Sequence, residues 1–225
     1  MIPWELLGCA QVPGSGKELR LYKRGGEFSL MVNGREIMNS RAHGSEDAMA
    51  ELACAKITDR SNPRVLIGGL GMGYTTAAAL RRLGAGAQVV VAELLPEVVQ
   101  WNLGPLAGLA GNPLQDARVT VREADVARIL KAEHRAYDAI LLDVDNGPEG
   151  LILKSNDWLY SPDGLNAAYA ALARAGVLAI WSAGPDHAFT KRLRRAGFEV
   201  HEACVQARGS GRGGRHTIWL AIRGS

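Results

Sequence analysis

Two kinds of residue in this chain can do chemistry, and their spacing links them. Gly69, Gly71 and Gly73 form a Gly-x-Gly-x-Gly run, where a backbone without side chains can approach a ligand that a Cβ would hold off. Acidic positions follow at Glu93, at Asp125, and at Asp143 with Asp145. Glu93 lies about 20 residues beyond the glycines, where a carboxylate in a βαβ unit can accept bonds from both ribose hydroxyls. Asp143 and Asp145 open the run Asp-Val-Asp-Asn-Gly-Pro. A carboxylate there can act as general base or attract a cationic group. The plainer reading is a turn-forming pair, with Asn-Gly completing the turn. Asp125 can equally be a helix N-cap, a role compatible with ligand contact. No Cys/His cluster has metal-ligand spacing, so no metal is expected.

The elements that must position these groups are legible from periodicity. Val65-Leu66-Ile67 is a short apolar run of the buried parallel-strand kind. Thr75 to Arg82 has helical composition, and Gln88 to Ala92 is a second buried strand closed by Glu93. Strand, glycine turn, helix, strand and carboxylate make the first half of a nucleotide-binding βαβ unit. The full Gly-x-Gly-x-x-Gly of dinucleotide enzymes is absent, with Tyr74 and Thr76 where the third glycine is expected, and there is no Gly-Lys-Ser/Thr loop. An adenosine ligand without phosphates fits better than NAD or ATP. Further strands are predicted at 118–122, 137–142 and 176–181, with helices from Pro96, at 126–132, from Ser161-Pro162 to about Ala175, and at 185–196. A final antiparallel pair is predicted at 198–205 and 216–222, around a Gly/Arg-rich segment at 207–215. This alternation implies an α/β fold: a Rossmann-like doubly wound sheet, mostly parallel with an antiparallel final strand. In such sheets ligands sit at the carboxyl ends of the strands near the switch point. Four successive strands each deliver a glycine loop or a carboxylate to that edge.

Residues 1 to 17 carry no clear pattern. Glu18 to Lys23 and Phe28 to Val32 alternate around Arg24-Gly25-Gly26-Glu27 and read as a β-hairpin, with Asn33-Gly34 as a second turn. Ser45 is the expected cap of a helix from Glu46 to about Ile57, whose start Glu46 and Asp47 favour through the helix dipole. The chain thus divides into a small N-terminal β-hairpin element with a linking helix, 1–60, and a Rossmann-like nucleoside-binding catalytic domain, 61–225. A net charge of +3 is mild and demands neither nucleic acid nor an anionic membrane. A basic helix with Lys191, Arg192, Arg194 and Arg195, plus Arg208, Arg212 and Arg215, keeps a non-catalytic RNA- or polyanion-binding protein as an alternative. Aromatic interleaving is nearly absent, which counts against it. Three scattered cysteines suggest no disulfide framework, so a reducing cytoplasm is the expected compartment. The apolar runs are too short to span a bilayer and the N-terminus lacks the pattern of a signal peptide, so no membrane partner is expected.

From the hairpin near Glu18 to the last strand, the sequence resembles the spermidine synthase (polyamine aminopropyltransferase) group of the class I S-adenosylmethionine methyltransferase fold. The resemblance rests on Gly69 to Gly73, Glu93, Asp125, and Asp143 with Asp145 before Gly147-Pro148. Asn156 to Ser161 and the N-terminal β-element are similar too. It implies a cytoplasmic transferase of polyamine biosynthesis, moving an aminopropyl group from decarboxylated S-adenosylmethionine to a small-molecule amine acceptor. It implies Asp143 as catalytic base, Asp145 as its companion, and Asp125 at the adenine amino group. Gly69, Gly71, Met72, Gly73 and Glu93 would hold the rest of the donor. Oligomeric state stays open; the family is often dimeric, so a homodimer is one arrangement to look for. Two departures stand out. Met72 takes the place of the aspartate that holds the donor's amino group in the family. Ile37 to Asp47 lacks the family's glutamine and Tyr-His-Glu triplet, with His43, Glu46 and Asp47 as the available substitutes. Met72 favours the alternative of an S-adenosylmethionine-dependent methyltransferase on the same fold, because a full S-adenosylmethionine carries a carboxylate and needs no aspartate at its tail. Trp158 and Tyr160 either line the acceptor pocket or anchor their loop.

Overall fold

The computed structural model describes residues 2–144, 154–207 and 214–224. Asp145, Asn146, Gly147 and Pro148, and with them the expected companion carboxylate, lie outside the described residues, as do Arg208 and Arg212.

Four strands open the chain as an antiparallel sheet in sequence order: β1 (Glu5–Val12), β2 (Lys17–Arg24), β3 (Glu27–Val32) and β4 (Arg35–Asn39). The expected hairpin is present. Its second turn uses Asn33 and Gly34 at φ 51° and 76°, the left-handed pair that a tight hairpin needs. β1 escaped sequence reading because half of it is exposed and its alternation is broken by an irregularity between Leu6 and Gly8. Gly8 serves packing: a Cβ there would stand 2.7 Å from the indole nitrogen of Trp101.

Helix α1 (Gly44–Cys54) follows and packs mainly on the next helix and on the central sheet. Its N-cap is His43, not Ser45. Ser45 lies inside the first turn, where its hydroxyl donates to the Glu46 carboxylate at 2.6 Å instead of capping a backbone amide.

The rest is strand and helix in alternation: β5 (Arg64–Gly68), α2 (Tyr74–Arg82), β6 (Gln88–Glu93), α3 (Pro96–Leu103), β7 (Val119–Glu123), α4 (Val126–Ala132), β8 (Tyr137–Leu142), α5 (Pro162–Ala171), β9 (Leu172–Ser182), α6 (His187–Arg195), β10 (Phe198–Gln206) and β11 (Arg215–Arg223). The seven strands run in the order β10-β11-β9-β8-β5-β6-β7. β11 is antiparallel to both neighbours, and the pairings among β5 to β9 are parallel. Strand alternation sorts the core into two layers. Val65, Ile67, Val89, Val91, Ala139 and Leu141 face α1, α2, α3 and the small sheet. Leu66, Val90, Ile140 and Leu142 face α4, α5 and α6. α5 ends at Ala171, four residues before the sequence suggests, because fully buried Leu172 pairs with Tyr137 and starts β9. The carbonyls of Ala170 and Ala171 then accept from Arg135 and Ala136 at 2.8 Å. Among the described residues no helix is long and apolar enough to cross a membrane.

β5 is the switch point. The chain leaves it for β6 and β7 on one side and returns to β8 on the other, so a crevice opens beyond the carboxyl ends of β5 and β8.

Candidate active site

Gly68 closes β5 and the glycine loop begins. The Gly69 amide donates to Ala92 on one neighbouring strand, and the Asp143 amide donates to Gly68 from the other, both at 2.9 Å. Gly69 has φ 90°, and a Cβ there would collide with the Asp143 carbonyl oxygen. The loop and the end of β8 are therefore in backbone contact, which a side chain would pry apart. Gly71, at φ 52°, lies against the thioether of Met38, whose Sδ and Cε would each be 3.0 Å from an added Cβ.

A cleft lies over this loop. Gly69, Gly71, Glu93, Asp125 and Asp143 line it from the central sheet. Val12, Leu19, Leu30, Ile37 and Met38 line it from the small sheet, and Glu46 from α1. Leu94, Leu95, Val98, Val126, Val144, Asn156 and Trp181 are among the rest. Most of the wall is apolar, and four carboxylates interrupt it. No lysine, arginine or histidine is among the described residues that line it.

Each carboxylate is held differently. Glu93 is buried at the end of β6, with one oxygen accepting from the Leu70 amide and the other from the Leu95 amide, both at 2.9 Å. Burial pushes its pKa up, and the Leu95, Leu70 and Leu94 amides pull it back. Asp125 caps α4 by accepting from the Ala127 amide at 2.8 Å, as one of its two readings requires, while also lining the cleft. Asp143 accepts from the Thr75 hydroxyl at 2.6 Å. Desolvation raises its pKa above the ordinary carboxylate range, against the pull of that bond. Glu46 is the fourth. It is buried, and its pKa is raised first by desolvation and then by the charge of Asp143.

Of the eight residues singled out from sequence, five line the cleft, two do not, and Asp145 is outside the described residues. Met72 is fully buried in the core layer of the small sheet. It is not among the described residues that line the cleft. The loop position over the cleft is Gly71. Gly73 packs instead against Asn102 and Pro113. His43 and Asp47 also lie outside the cleft. His43 stacks on Tyr74 with ring centroids 4.0 Å apart and bonds Asp47 at 2.7 Å, and Asp47 pairs with Arg81 at 2.8 Å. Tyr160 is buried against Phe189, and Lys131 sits 4.1 Å over the ring of Trp158. Both aromatics anchor their loop on the α4–α6 side. Glu46 is the cleft residue to which sequence reasoning gave the lesser role. An acidic residue in a first helical turn has a sufficient local explanation, and only tertiary packing turns it toward Asp143.

The layered sheet with its reversed final strand is the class I methyltransferase-like fold, and the small N-terminal sheet narrows the likeness to a spermidine synthase-like fold. No family model and no curated protein sequence matches the chain. Solved structures do. The chain is similar to spermidine synthase from Thermotoga maritima, at 16% identity and a TM-score of 0.75, over 97% of this chain and 73% of that one. It is similar to a spermidine synthase in complex with the transition-state analogue AdoDATO, at 16% identity and TM-score 0.74, over 97% and 72%. A probable spermidine synthase from Corynebacterium glutamicum superposes with TM-score 0.65 at 16% identity, over 96% and 79%.

Proposed function

We propose that the protein is a transferase moving an aminopropyl group from decarboxylated S-adenosylmethionine to a small-molecule amine. One observation carries the proposal: four carboxylates and no basic side chain among the described residues lining the cleft. The decarboxylated donor bears a sulfonium and an ammonium and no carboxylate, so every charge on it is of the attracted sign. A full S-adenosylmethionine brings a carboxylate into the same acidic cleft. The fold likeness to a spermidine synthase that holds a transition-state analogue agrees with a donor of this class.

The division of labour we propose is the one the family resemblance implies. Glu93 holds the ribose hydroxyls with lone pairs left over from its two backbone bonds, and Asp125 faces the adenine. Asp143, beside the glycine loop, meets the acceptor. An amine at neutral pH is protonated, and freeing its lone pair at pH 7 from a pKa of about 10.4 costs roughly 4–5 kcal/mol. A carboxylate whose pKa burial has raised is the better base for that proton. The free amine then attacks the carbon next to sulfur, the C–S bond breaks, and the electron pair leaves on a neutral thioether. In-line placement of the two reactants supplies much of the remaining barrier reduction.

Methyl transfer on the same scaffold is the second reading. It is favoured by Gly71, which offers no side chain to a donor's amino group where the loop faces the cleft. Product analysis separates the two. Incubation with each donor and a panel of amines should release methylthioadenosine from the decarboxylated donor. Release of S-adenosylhomocysteine from S-adenosylmethionine instead would establish methyl transfer.

A further inference from the structure

Amine transfer leaves a proton behind in the cleft at each turnover, and the structure offers a route out. Ser45 and Glu46 are neighbours in the first turn of α1, and both are buried. The Ser45 hydroxyl donates to Glu46 Oε2 at 2.6 Å. On its other side Ser45 Oγ lies 2.9 Å from Nδ1 of His216, near the start of β11. His216 is half-buried, with its ring 4.6 Å from that of Trp181, itself a cleft residue. The far ring nitrogen, Nε2, is 4.0 Å from where a Cβ on exposed Gly214 would stand. Backbone bonds pin both ends: the Gly44 amide donates to Ala207 at 3.0 Å and the Ala207 amide to Gly214 at 2.9 Å. A continuous line thus runs from the cleft to an exposed stretch: Glu46, Ser45, His216.

Resting on the amine-transfer reading above, we propose that Glu46 is a second proton-handling carboxylate of the cleft, with Ser45 and His216 as the positioning residues through which its proton reaches solvent. The exchange balances. The ammonium N–H breaks and its proton bonds to a carboxylate oxygen of the Asp143–Glu46 pair. Once Glu46 is protonated it donates to Ser45 Oγ, and the Ser45 hydroxyl turns from Glu46 to His216 Nδ1. The Glu46 proton then passes to Ser45 Oγ as the Ser45 proton passes to Nδ1, in the tautomer whose hydrogen is on Nε2. The imidazolium gives its Nε2 proton to water, and exchange with water moves the ring hydrogen from Nδ1 back to Nε2 before the next transfer. The electrostatics suit each station. Burial, then the charge of Asp143 at the end of β8, and last Asp47 on its own helix, let Glu46 hold a proton more readily than an ordinary carboxyl. Burial lowers the pKa of His216, so at neutral pH the ring is uncharged and, once protonated, gives the proton up readily. From β9 it meets the uncharged Trp181 and from α1 Ser45, and in the β-ladder it stands opposite Val205 of β10.

An NMR titration of labelled carboxyl and imidazole groups in the full ligand-free chain tests this. Glu46, assigned with Glu46→Gln, should titrate well above the ordinary value of about 4.3 and move down toward it in Asp143→Asn. The His216 ring signals should record a step at the pH where Glu46 titrates, and lose that step in Ser45→Ala. A Glu46 with an ordinary pKa, or His216 signals indifferent to it in the native chain, overturns the proposal whether or not any donor binds. Failure of the amine-transfer reading is therefore a separate result. In turnover, His216→Gln should slow the native rate at least tenfold at low buffer concentration and recover with added imidazole. A fold-wide defect would not recover; recovery absent in a folded variant also overturns the proposal.

Discussion

The two ends of the cleft are built on different principles. At the proposed donor end, Glu93 and Asp125 are held by backbone amides, Glu93 by Leu70 and Leu95 and Asp125 by Ala127. At the acceptor end, Asp143 and Glu46 are held by side-chain hydroxyls, Thr75 and Ser45, and are brought together from distant parts of the chain. Amides fixed by local backbone make a rigid site that bonds anionic oxygens well. Hydroxyls can turn, so they can donate to a charged carboxylate and accept from a protonated one. The first arrangement suits the proposed donor end, which would only bind, and the second suits the proposed acceptor end, which would take up and release a proton.

The most severe way to break the acceptor end is Asp143→Asn. Turnover should fall by roughly 10²–10⁴, the usual contribution of a positioned base, while donor affinity by calorimetry stays within a few-fold. Normal turnover in this variant would remove Asp143 from its role. Gly69→Ala strikes the joint between the two ends. It forces a left-handed φ on a residue with a Cβ and drives that Cβ into Asp143. A loss of about 3 kcal/mol or more in denaturant unfolding is expected. At the donor end, Glu93→Gln turns one oxygen into an amide group facing a backbone N–H. It should cost about 1–3 kcal/mol of stability and weaken donor binding more than it slows bound donor.

This same contrast decides what the sequence could disclose. Glu93 and Asp125 are legible because each lies at or just beyond a strand end and is bonded by an amide two residues on, Leu95 and Ala127, and because the Leu70 amide that also bonds Glu93 belongs to the glycine loop whose spacing to Glu93 is itself readable. The buried parallel strands followed from runs such as Val65-Leu66-Ile67 and Tyr137 to Leu142. Glu46 was not legible, since its neighbour Asp143 is set by how α1 packs on the sheet. The glycine pattern likewise does not say which loop residues line the cleft: Gly69 and Gly71 do, while Met72 is buried in the core. β1 and the true cap of α1 were missed because exposure and a strand irregularity blur periodicity, and because Ser45 has a closer acceptor in Glu46.

Two gentler perturbations sharpen the comparison. Glu46 has a raised pKa in the folded chain, so the folded state holds its proton more tightly than the unfolded one. Its contribution to stability is then greatest below the unfolded value of about 4.3 and is lost as pH rises through the folded value. Glu46→Gln should therefore raise the melting temperature relative to the native chain more at pH 8 than at pH 5, by about 2–4 °C for each kcal/mol relieved. A difference independent of pH would mean that Glu46 is not the strained group. Outside the cleft, Arg81→Ala removes the exposed pair with Asp47. It should change unfolding free energy by about 1 kcal/mol or less and leave the pH profile of turnover unmoved.

The most direct test of the central claim is calorimetric titration of the purified chain with decarboxylated S-adenosylmethionine and, separately, with S-adenosylmethionine. A cleft of four carboxylates without a basic side chain among its described lining residues should bind the decarboxylated donor more tightly, by tenfold or more if the unmatched carboxylate costs about 1.4 kcal/mol. Equal or tighter binding of S-adenosylmethionine would contradict the account and favour methyl transfer.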